Sequence, residues 1–136
     1  MTTSFTPVRT HADLEAFWRS RIAPLGFARR ALWIAFVTDD DEVCHQLVEI
    51  GDLPRTPVEE ECEGFTKLLS ALHEDVGVHR FAFLLARPGR GGARSEDRAW
   101  ASALVAMTRD AGVRCEPIHL ATDDVLAPIA LDDLAS

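Results

Sequence analysis

Long apolar runs are the first thing that this chain lacks. No stretch of its 136 residues approaches the roughly 20 consecutive apolar residues that a membrane-spanning helix needs. Its first residues, MTTSFTPVRTHADLE, also lack the basic start and apolar core of a secretory signal. The sequence therefore predicts a globular protein without a membrane segment, and a cytoplasmic location is the default expectation.

The chain also lacks an excess of positive charge. It has 14 lysine and arginine residues against 22 aspartate and glutamate residues, for a formal net charge of −8. Nucleic-acid binding through counterion release needs a clustered excess of basic groups, so general nucleic-acid binding is not expected. Only one basic residue is a lysine. With the abundant alanine, this bias is typical of a GC-rich bacterial genome rather than of phosphate binding.

Cysteine is scarce, and no C-x-x-C pair occurs. The widely spaced Cys44, Cys62 and Cys115 predict reduced thiols rather than a disulfide framework. A zinc site is the weaker alternative: Cys115 and His119 lie four residues apart on a predicted strand, hence on one face, and His45 or Cys44 could supply a third ligand. The simpler interpretation is a half-buried thiol and an imidazole bonded to a backbone carbonyl. No metal or cofactor is therefore expected.

What the chain does contain is one well-marked unit, from Arg80 to Gly112. Residues 81–86, FAFLLA, are continuously apolar, which is typical of a strand buried on both faces of a sheet. A loop with one proline and three glycines follows. Ser95 is predicted as the N-cap of a helix that ends at Gly112. Apolar residues recur along that helix at helical spacing: Trp100, Ala103, Leu104, Met107 and Ala111.

The residues before this unit predict two helices and a hairpin. Thr10 is a candidate N-cap for a helical N-terminal element over 10–23, since Pro24 disfavours helical geometry at the preceding residue. The further elements are a hairpin of strands over 31–37 and 42–50, and a helix that begins with a capping box at Thr56 and Glu59 and ends at Gly77.

After the central unit the sequence predicts two more strands. The run 113–121 contains Pro117, which places it at a sheet edge or a bulge. A polar turn then leads to a last strand near 125–131. The chain is predicted to form one α/β (α+β) domain over 1–136, with a mixed sheet of about five strands flanked by three helices. Its core of sheet and helices is predicted over 31–131.

Four arginines crowd the glycine-rich loop and the start of the helix after it. Free backbone N–H groups and the helix dipole attract anions at such a place, so a phosphate or carboxylate could bind there. The alternative is a solvated loop whose arginines pair with nearby acids, and the lack of a P-loop or G-x-G-x-x-G pattern favours it. The candidate ligand-binding residues are Arg87, Arg90, Arg94, Arg98 and Ser95.

The run from about Ala31 to Leu131 resembles the RadC-type branch of the JAB/MPN metalloprotease superfamily. The likeness lies in the layout: the strand and turn ALWIAFVTDDD, a second strand ending in Gly51, a helix, an apolar strand, and the loop RPGRGGARSED before a helix. A strand with His119 and an acidic turn follow. The resemblance covers about three quarters of the chain and implies a JAB/MPN-like fold.

The resemblance also implies a metal site, and there the sequence departs from the family. The family's apolar strand ends in a histidine-x-histidine-proline motif, followed by serine-x-x-aspartate, and the two histidines and the aspartate hold zinc. Here the matching stretches read LARP (85–88) and SEDR (95–98), with Asp97 offset by one residue. Neither leucine nor a guanidinium ligates zinc. The family's glutamate would fall within 28–30 and is also missing, so the resemblance implies the fold without the metal.

Two hypotheses about function follow. The first is a noncatalytic binding or scaffold module with a JAB/RadC-like fold, whose basic loop contacts a protein partner or a small anionic ligand. The second is a small hydrolase with a rebuilt or zinc-dependent site near His119, drawing on Asp123, Cys115 and Ser95. The first is preferred, so no enzymatic activity is expected. Homodimerisation through a sheet edge stays open.

Overall fold

A computed structural model describes residues 5–22, 25–44 and 46–130. No helix within these ranges is long and apolar enough to cross a membrane. In chain order the elements are β1 (Phe5–Pro7), α1 (His11–Ile22), β2 (Ala31–Val37), β3 (Glu42–Cys44), β4 (Val48–Ile50), α2 (Glu59–Ala71), β5 (Arg80–Ala86), α3 (Ser95–Ala111), β6 (Arg114–Cys115), β7 (His119–Ala121) and β8 (Leu126–Pro128). A π-helical turn, Leu72–Val76, follows α2.

The strands form one mixed sheet with β5 inside it. β5 pairs antiparallel with β2 over seven residues of each strand, and parallel with β6 and β7 on its other side. The strand order is β1-β3-β2-β5-β7-β8, with β4 also paired to β2 and β6 to β5. Together with the three helices, this confirms the predicted mixed α+β class.

The described part of the chain has eight strands rather than about five, because two predicted strands are interrupted. Val37 pairs with Val43 and Ile34 with Val48, so β2 advances by three residues while its partner advances by five. The two surplus residues break the predicted run 42–50 into β3 and β4. The run 113–121 likewise divides into β6 and β7, and the short β1 adds a strand beside β3.

Side chains of the sheet alternate between two covered faces. The face toward α2 and α3 carries large side chains, among them Phe81, Phe83 and Leu85. The opposite face is rich in alanine, at Ala35, Ala82, Ala86 and Ala121, and Leu14, Phe17 and Trp18 of α1 belong to the same buried cluster. The predicted continuous burial of β5 is confirmed, and α1 is the element that covers its second face.

Three of the predicted helix ends agree with the structure, and one of them is Gly77, which closes the π-helical turn after α2 with a φ of 84°. Thr10 caps α1: its Oγ1 accepts a hydrogen bond from the backbone N–H of Asp13, and the Asp13 carboxylate accepts one from the backbone N–H of Thr10. Gly112 ends α3 with a φ of 74°, a conformation that glycine adopts without steric cost. Ala23, the last residue of the predicted N-terminal element, lies outside the described residues, as does residue 131 of the predicted last strand.

Two predicted helix starts are wrong. The second helix begins at Glu59 rather than beside Thr56, because Val58 has an extended backbone (φ −107°, ψ 125°) and no side chain caps the helix. In α3, Ser95 is the first helical residue and not the cap. The preceding residue, Arg94, takes the cap position, and its backbone N–H donates to the carboxylate of Asp97 at 2.9 Å.

Candidate functional site

The glycine-rich loop, residues 87–94, joins the end of β5 to the start of α3. The turn after β7 holds this loop in place. The carboxylate of Asp123 accepts a hydrogen bond from the backbone N–H of Gly89 at 2.9 Å, and that of Asp124 accepts one from Gly91 at 2.9 Å. The hydrogen bond from Gly91 is the main cause of the lowered pKa of Asp124. The chain's own carboxylates therefore occupy loop amides that a bound anion would need.

Arg87 points into the protein rather than toward solvent. Its side chain is 1% exposed, and its Nε donates to both carboxylate oxygens of Asp97 at 2.9 Å. Its terminal nitrogens donate to the backbone carbonyls of Pro88 and Gly92. A buried guanidinium needs such acceptors because water is excluded. The structure thus gives Arg87 an internal role, which differs from the ligand-binding role expected from the sequence.

Asp97 is the centre of a buried group of charges. It has no exposed surface, and besides Arg87 it accepts a hydrogen bond from the guanidinium of Arg30 at 3.1 Å. Arg30 also pairs with Glu96 at 3.4 Å. We call Arg30, Arg87 and Asp97, with Glu96 at the edge, the ion cluster. It ties β5, α3 and the residue just before β2 together.

The ion cluster as a unit could not be predicted from the sequence, although one signal for it is present there. Asp97 lies three residues before Trp100 and seven before Leu104, both of which are buried on α3. A carboxylate on the apolar face of a helix needs a buried partner. The pattern does not identify Arg30 as a partner of Asp97, because the two residues are 67 positions apart in the chain and meet only in the folded structure.

The remaining loop arginines and Ser95 are nearer the surface. Arg90 and Ser95 are exposed. A terminal nitrogen of Arg94 donates to the backbone carbonyl of Arg90 at 3.3 Å, and Arg98 donates to another loop carbonyl at 3.0 Å. Among the described residues, Arg87 is the one arginine of these four that forms an ion pair. Of these loop arginines, Arg87 therefore forms a direct ion pair with a nearby acid, whereas the charge of Arg90 acts on Asp124 from farther away and contributes to its lowered pKa.

Cys115 and His119 lie on opposite faces of the sheet, so the expectation that they share one face is wrong. Cys115 pairs with Phe81 and packs on the side of α2 and α3. His119 pairs with Leu84, which faces α1. Directly paired residues project to the same side of a sheet. The cause is the irregular segment Glu116–Ile118, which interrupts the alternation that a continuous strand would have kept.

His119 matches the simpler of its two predicted roles. It is 1% exposed, and its Nδ1 lies 3.2 Å from the backbone carbonyl of Pro117. Burial is the main cause that lowers the pKa of His119. His45, the proposed further zinc ligand, lies outside the described residues. Within 5–22, 25–44 and 46–130, no three histidine, cysteine or acidic side chains are grouped as a metal site.

The hydrolase hypothesis needs Ser95, Asp123 and His119 to cooperate, and the structure separates them. Ser95 is exposed at the start of α3, whereas His119 is buried on the other side of the sheet. The Asp123 carboxylate accepts hydrogen bonds from the backbone N–H groups of Gly89 and Phe27. A serine nucleophile requires a base within hydrogen-bond reach. Such a base is not among the contacts of Ser95 in the described part of the chain.

The Cys115 thiol is expected to be almost unreactive in the folded protein. Burial raises its pKa to about 12, so roughly one thiol in ten thousand is a thiolate at pH 8. We expect iodoacetamide to modify Cys115 at least about 100-fold more slowly in native protein than in urea. Peptide mass spectrometry measures both rates. Equal rates would contradict the raised pKa of this half-buried thiol and would make Cys115 a candidate nucleophile again.

Two adjoining spaces lie beside α2 and α3. The first is a cavity of about 100 Å³. It is lined by Leu32, Ile50, Leu53, Glu61, Cys62, Phe65, Trp100 and Met107. The indole N–H of Trp100 donates to the backbone carbonyl of Pro54. Among the described residues that line the cavity, Glu61 alone has a charged side chain.

The second space is a more open groove of about 450 Å³ between α2 and α3. It shares Cys62 and Met107 with the cavity. Its other lining residues are Pro57, Glu59, Glu63, Thr66, Ala103, Ala106 and Asp110. Of the residues that the structure describes, no lysine, arginine or histidine lines either space. The groove therefore leads from an acidic surface to an apolar cavity.

Similarity to known proteins assigns no role to these features. No protein family matches the chain, and no curated protein matches it. The ion cluster, the cavity and the groove are therefore the features from which a function can be inferred.

Proposed function

We propose that this chain is a noncatalytic binding or scaffold module with a RadC-type JAB/MPN-like layout. In this proposal the ion cluster takes the place of the family's zinc centre. The observation that carries it is the convergence of Arg30, Arg87 and Asp97 in one buried cluster. The resemblance puts zinc ligands or the family's glutamate at or next to these same positions.

The residues of the ion cluster do not fit a metal ion. Two of the three central groups are guanidinium ions, which offer no lone pair and repel a cation. The third, Asp97, has both carboxylate oxygens engaged by Arg87. The cluster can, however, do the mechanical work of a structural metal, because it joins the same three chain segments. Binding to a partner needs that rigid frame and no reacting group.

The hydrolase alternative is weaker on the same geometry. His119 is buried against α1, Cys115 faces α3 with a strongly raised pKa, and Ser95 has no neighbouring base among the described residues. The proposal therefore keeps no catalytic residue. A protein partner fits it better than the small anion expected at the loop, because Asp123 and Asp124 already occupy the amides of Gly89 and Gly91.

The proposal includes a cytoplasmic location and leaves general nucleic-acid binding out. Cys44, Cys62 and Cys115 are all free thiols, which supports a reducing compartment. The net charge of −8 supports a partner other than nucleic acid. Homodimerisation through β8 or β1, the outer strands of the order, belongs to the proposal as a form of scaffold assembly.

The proposal is tested by zinc content in wild type and in a restored variant. We expect purified wild-type protein to carry less than about 0.1 zinc per chain, because guanidinium ions cannot ligate the metal. The variant Leu85→His/Arg87→His/Arg98→Asp puts the family's ligands back, and we expect it to bind about one zinc per chain. Elemental analysis measures the zinc, and far-UV circular dichroism reports whether each protein is folded.

Arg98→Asp alone is the matched control and is expected to bind no zinc, since one carboxylate cannot hold the ion. Stoichiometric zinc in wild type would overturn the metal-free role. A folded restored variant without zinc would overturn the JAB/MPN-like placement of Leu85 and Arg87.

A further inference from the structure

We propose that the groove and cavity beside α2 and α3 bind a small organic cation, an alkylamine whose branched apolar body enters the cavity while its ammonium group meets the acidic rim. This goes beyond the proposed function, because it concerns the groove and cavity beside α2 and α3 rather than the ion cluster and the loop. The two can fail separately, because zinc content tests the ion cluster and amine binding tests the groove.

The size of the two spaces fits one small ligand. The cavity of about 100 Å³ is smaller than the roughly 150 Å³ apolar cavity that accepts benzene, so it suits a body of about five carbons. The groove of about 450 Å³ lies within the usual range for ligand pockets. Because Cys62 and Met107 line both, a ligand can occupy the cavity with its polar end in the groove.

The charges around these spaces select a cation. Glu61 is the charged residue of the cavity wall, and Glu59, Glu63 and Asp110 line the groove. Their field is visible at Cys62, whose pKa is raised first by burial and then by the charges of Glu61 and Glu59. Within 5–22, 25–44 and 46–130, no basic side chain lines either space to neutralise this field. An ammonium group would gain from this field, and a carboxylate would be repelled.

A free amine is favoured over a segment of a partner protein. The central parts of protein–protein interfaces are depleted of glutamate and aspartate. Here acidic residues lie directly along the opening, at Glu59, Glu61 and Glu63. The apolar area forms a concave space rather than a flat patch on the surface, which is typical of a small-molecule site.

The test titrates ¹⁵N-labelled protein with three probes that share one isopentyl body: isopentylamine, isopentanol and 4-methylpentanoate. We expect isopentylamine to cause saturable chemical-shift changes at the backbone amides of Cys62, Phe65, Trp100 and Met107, with a Kd on the order of 1 mM for so small a ligand. Isopentanol is expected to bind several-fold more weakly, and 4-methylpentanoate not measurably. High salt is expected to weaken amine binding but not alcohol binding.

Two substitutions at adjacent positions of α2 distinguish the effect of a charge on the cavity wall from the effect of the protein's net charge. Glu61→Gln is expected to raise the Kd of isopentylamine about 3-fold, since exposed ion pairs contribute modestly. Glu60→Gln, one residue earlier and outside both linings, changes the net charge equally and is expected to leave the Kd unchanged. Cys62→Leu fills the space between cavity and groove and is expected to abolish binding of both amine and alcohol. A cooperative thermal unfolding transition of the Cys62→Leu variant shows that it is folded.

Three results would overturn the inference. Equal binding of the three probes would show that charge has no part. Equal effects of Glu60→Gln and Glu61→Gln would show that net charge alone acts. Shift changes from a peptide with lysines flanking a leucine, without saturable changes from isopentylamine, would identify the groove as a docking site for protein segments instead.

Discussion

Replacing Asp97 by alanine is expected to lower the free energy of unfolding by about 3–5 kcal/mol, because it leaves buried guanidinium groups without their carboxylate. Arg87 is 1% exposed and loses both Asp97 oxygens as acceptors. The guanidinium of Arg30 loses one acceptor, and the backbone N–H of Arg94 loses its cap. For a chain of this length the unfolding temperature should fall by about 10–15 °C. Urea unfolding followed by circular dichroism measures the change.

A surface ion pair of the same type provides the control. Arg29 and Asp52 pair at 3.4 Å with side chains that are 57% and 76% exposed. Arg29→Ala removes this pair and leaves Asp52 in place, whose positive φ of 53° an alanine would strain; it is expected to cost less than about 1 kcal/mol. If Asp97→Ala were no more damaging than Arg29→Ala, the ion cluster would not be a structural element.

The double variant Arg87→Met/Asp97→Leu extends this test. A buried ion pair can often be replaced by apolar side chains of similar volume with little loss of stability. We expect the double variant to be more stable than Asp97→Ala alone, which gives a strong coupling between the two positions. Additive losses would show that Arg87 and Asp97 act independently.

Replacing Trp18 by alanine is expected to destabilise the fold by about 3–5 kcal/mol, as for other large aromatic side chains removed from a core. Trp18 is fully buried, and its ring centroid lies 5.5 Å from that of Phe17. It fills space next to small side chains such as Ala35 and Ala82 on the sheet face that α1 covers. Urea unfolding again measures the loss, which reports whether α1 belongs to the cooperative fold.

Two other substitutions are controls for Trp18→Ala. Trp33 is on the same face but only partly buried, so Trp33→Ala is expected to cost less than Trp18→Ala. The indole N–H of Trp18 is buried without a hydrogen-bond partner among the described residues. Trp18→Phe removes that donor and keeps most of the ring, so we expect a cost below about 1.5 kcal/mol. A loss for Trp18→Ala as small as that of Trp33→Ala would mean that α1 is not part of the core.

The candidate site was only partly predictable, for reasons that lie in particular residues. The loop arginines stand out in the sequence, but the direction of each side chain does not. Arg87 follows β5 and turns inward to Asp97, whereas Arg90 is exposed. Likewise, Cys115 and His119 lie four positions apart, which suggests one face, but residues 116–118 interrupt the strand. From the pair Phe81–Cys115 to the pair Leu84–His119 the edge run advances one residue more than β5 does. One extra residue reverses the orientation of the residues that follow it.

The sequence by itself determined the class of fold, the buried β5 and the ends of several helices, because these depend on neighbours within a few residues of the chain. The apolar pattern of a strand, a cap such as Thr10 and a terminator such as Gly112 each depend on residues that are close together in the sequence. Only the tertiary structure decided the ion cluster and the groove. Arg30 meets Asp97 across 67 residues, and Cys62 meets Met107 only where α2 packs beside α3. Such meetings depend on how the elements pack, which no local pattern specifies.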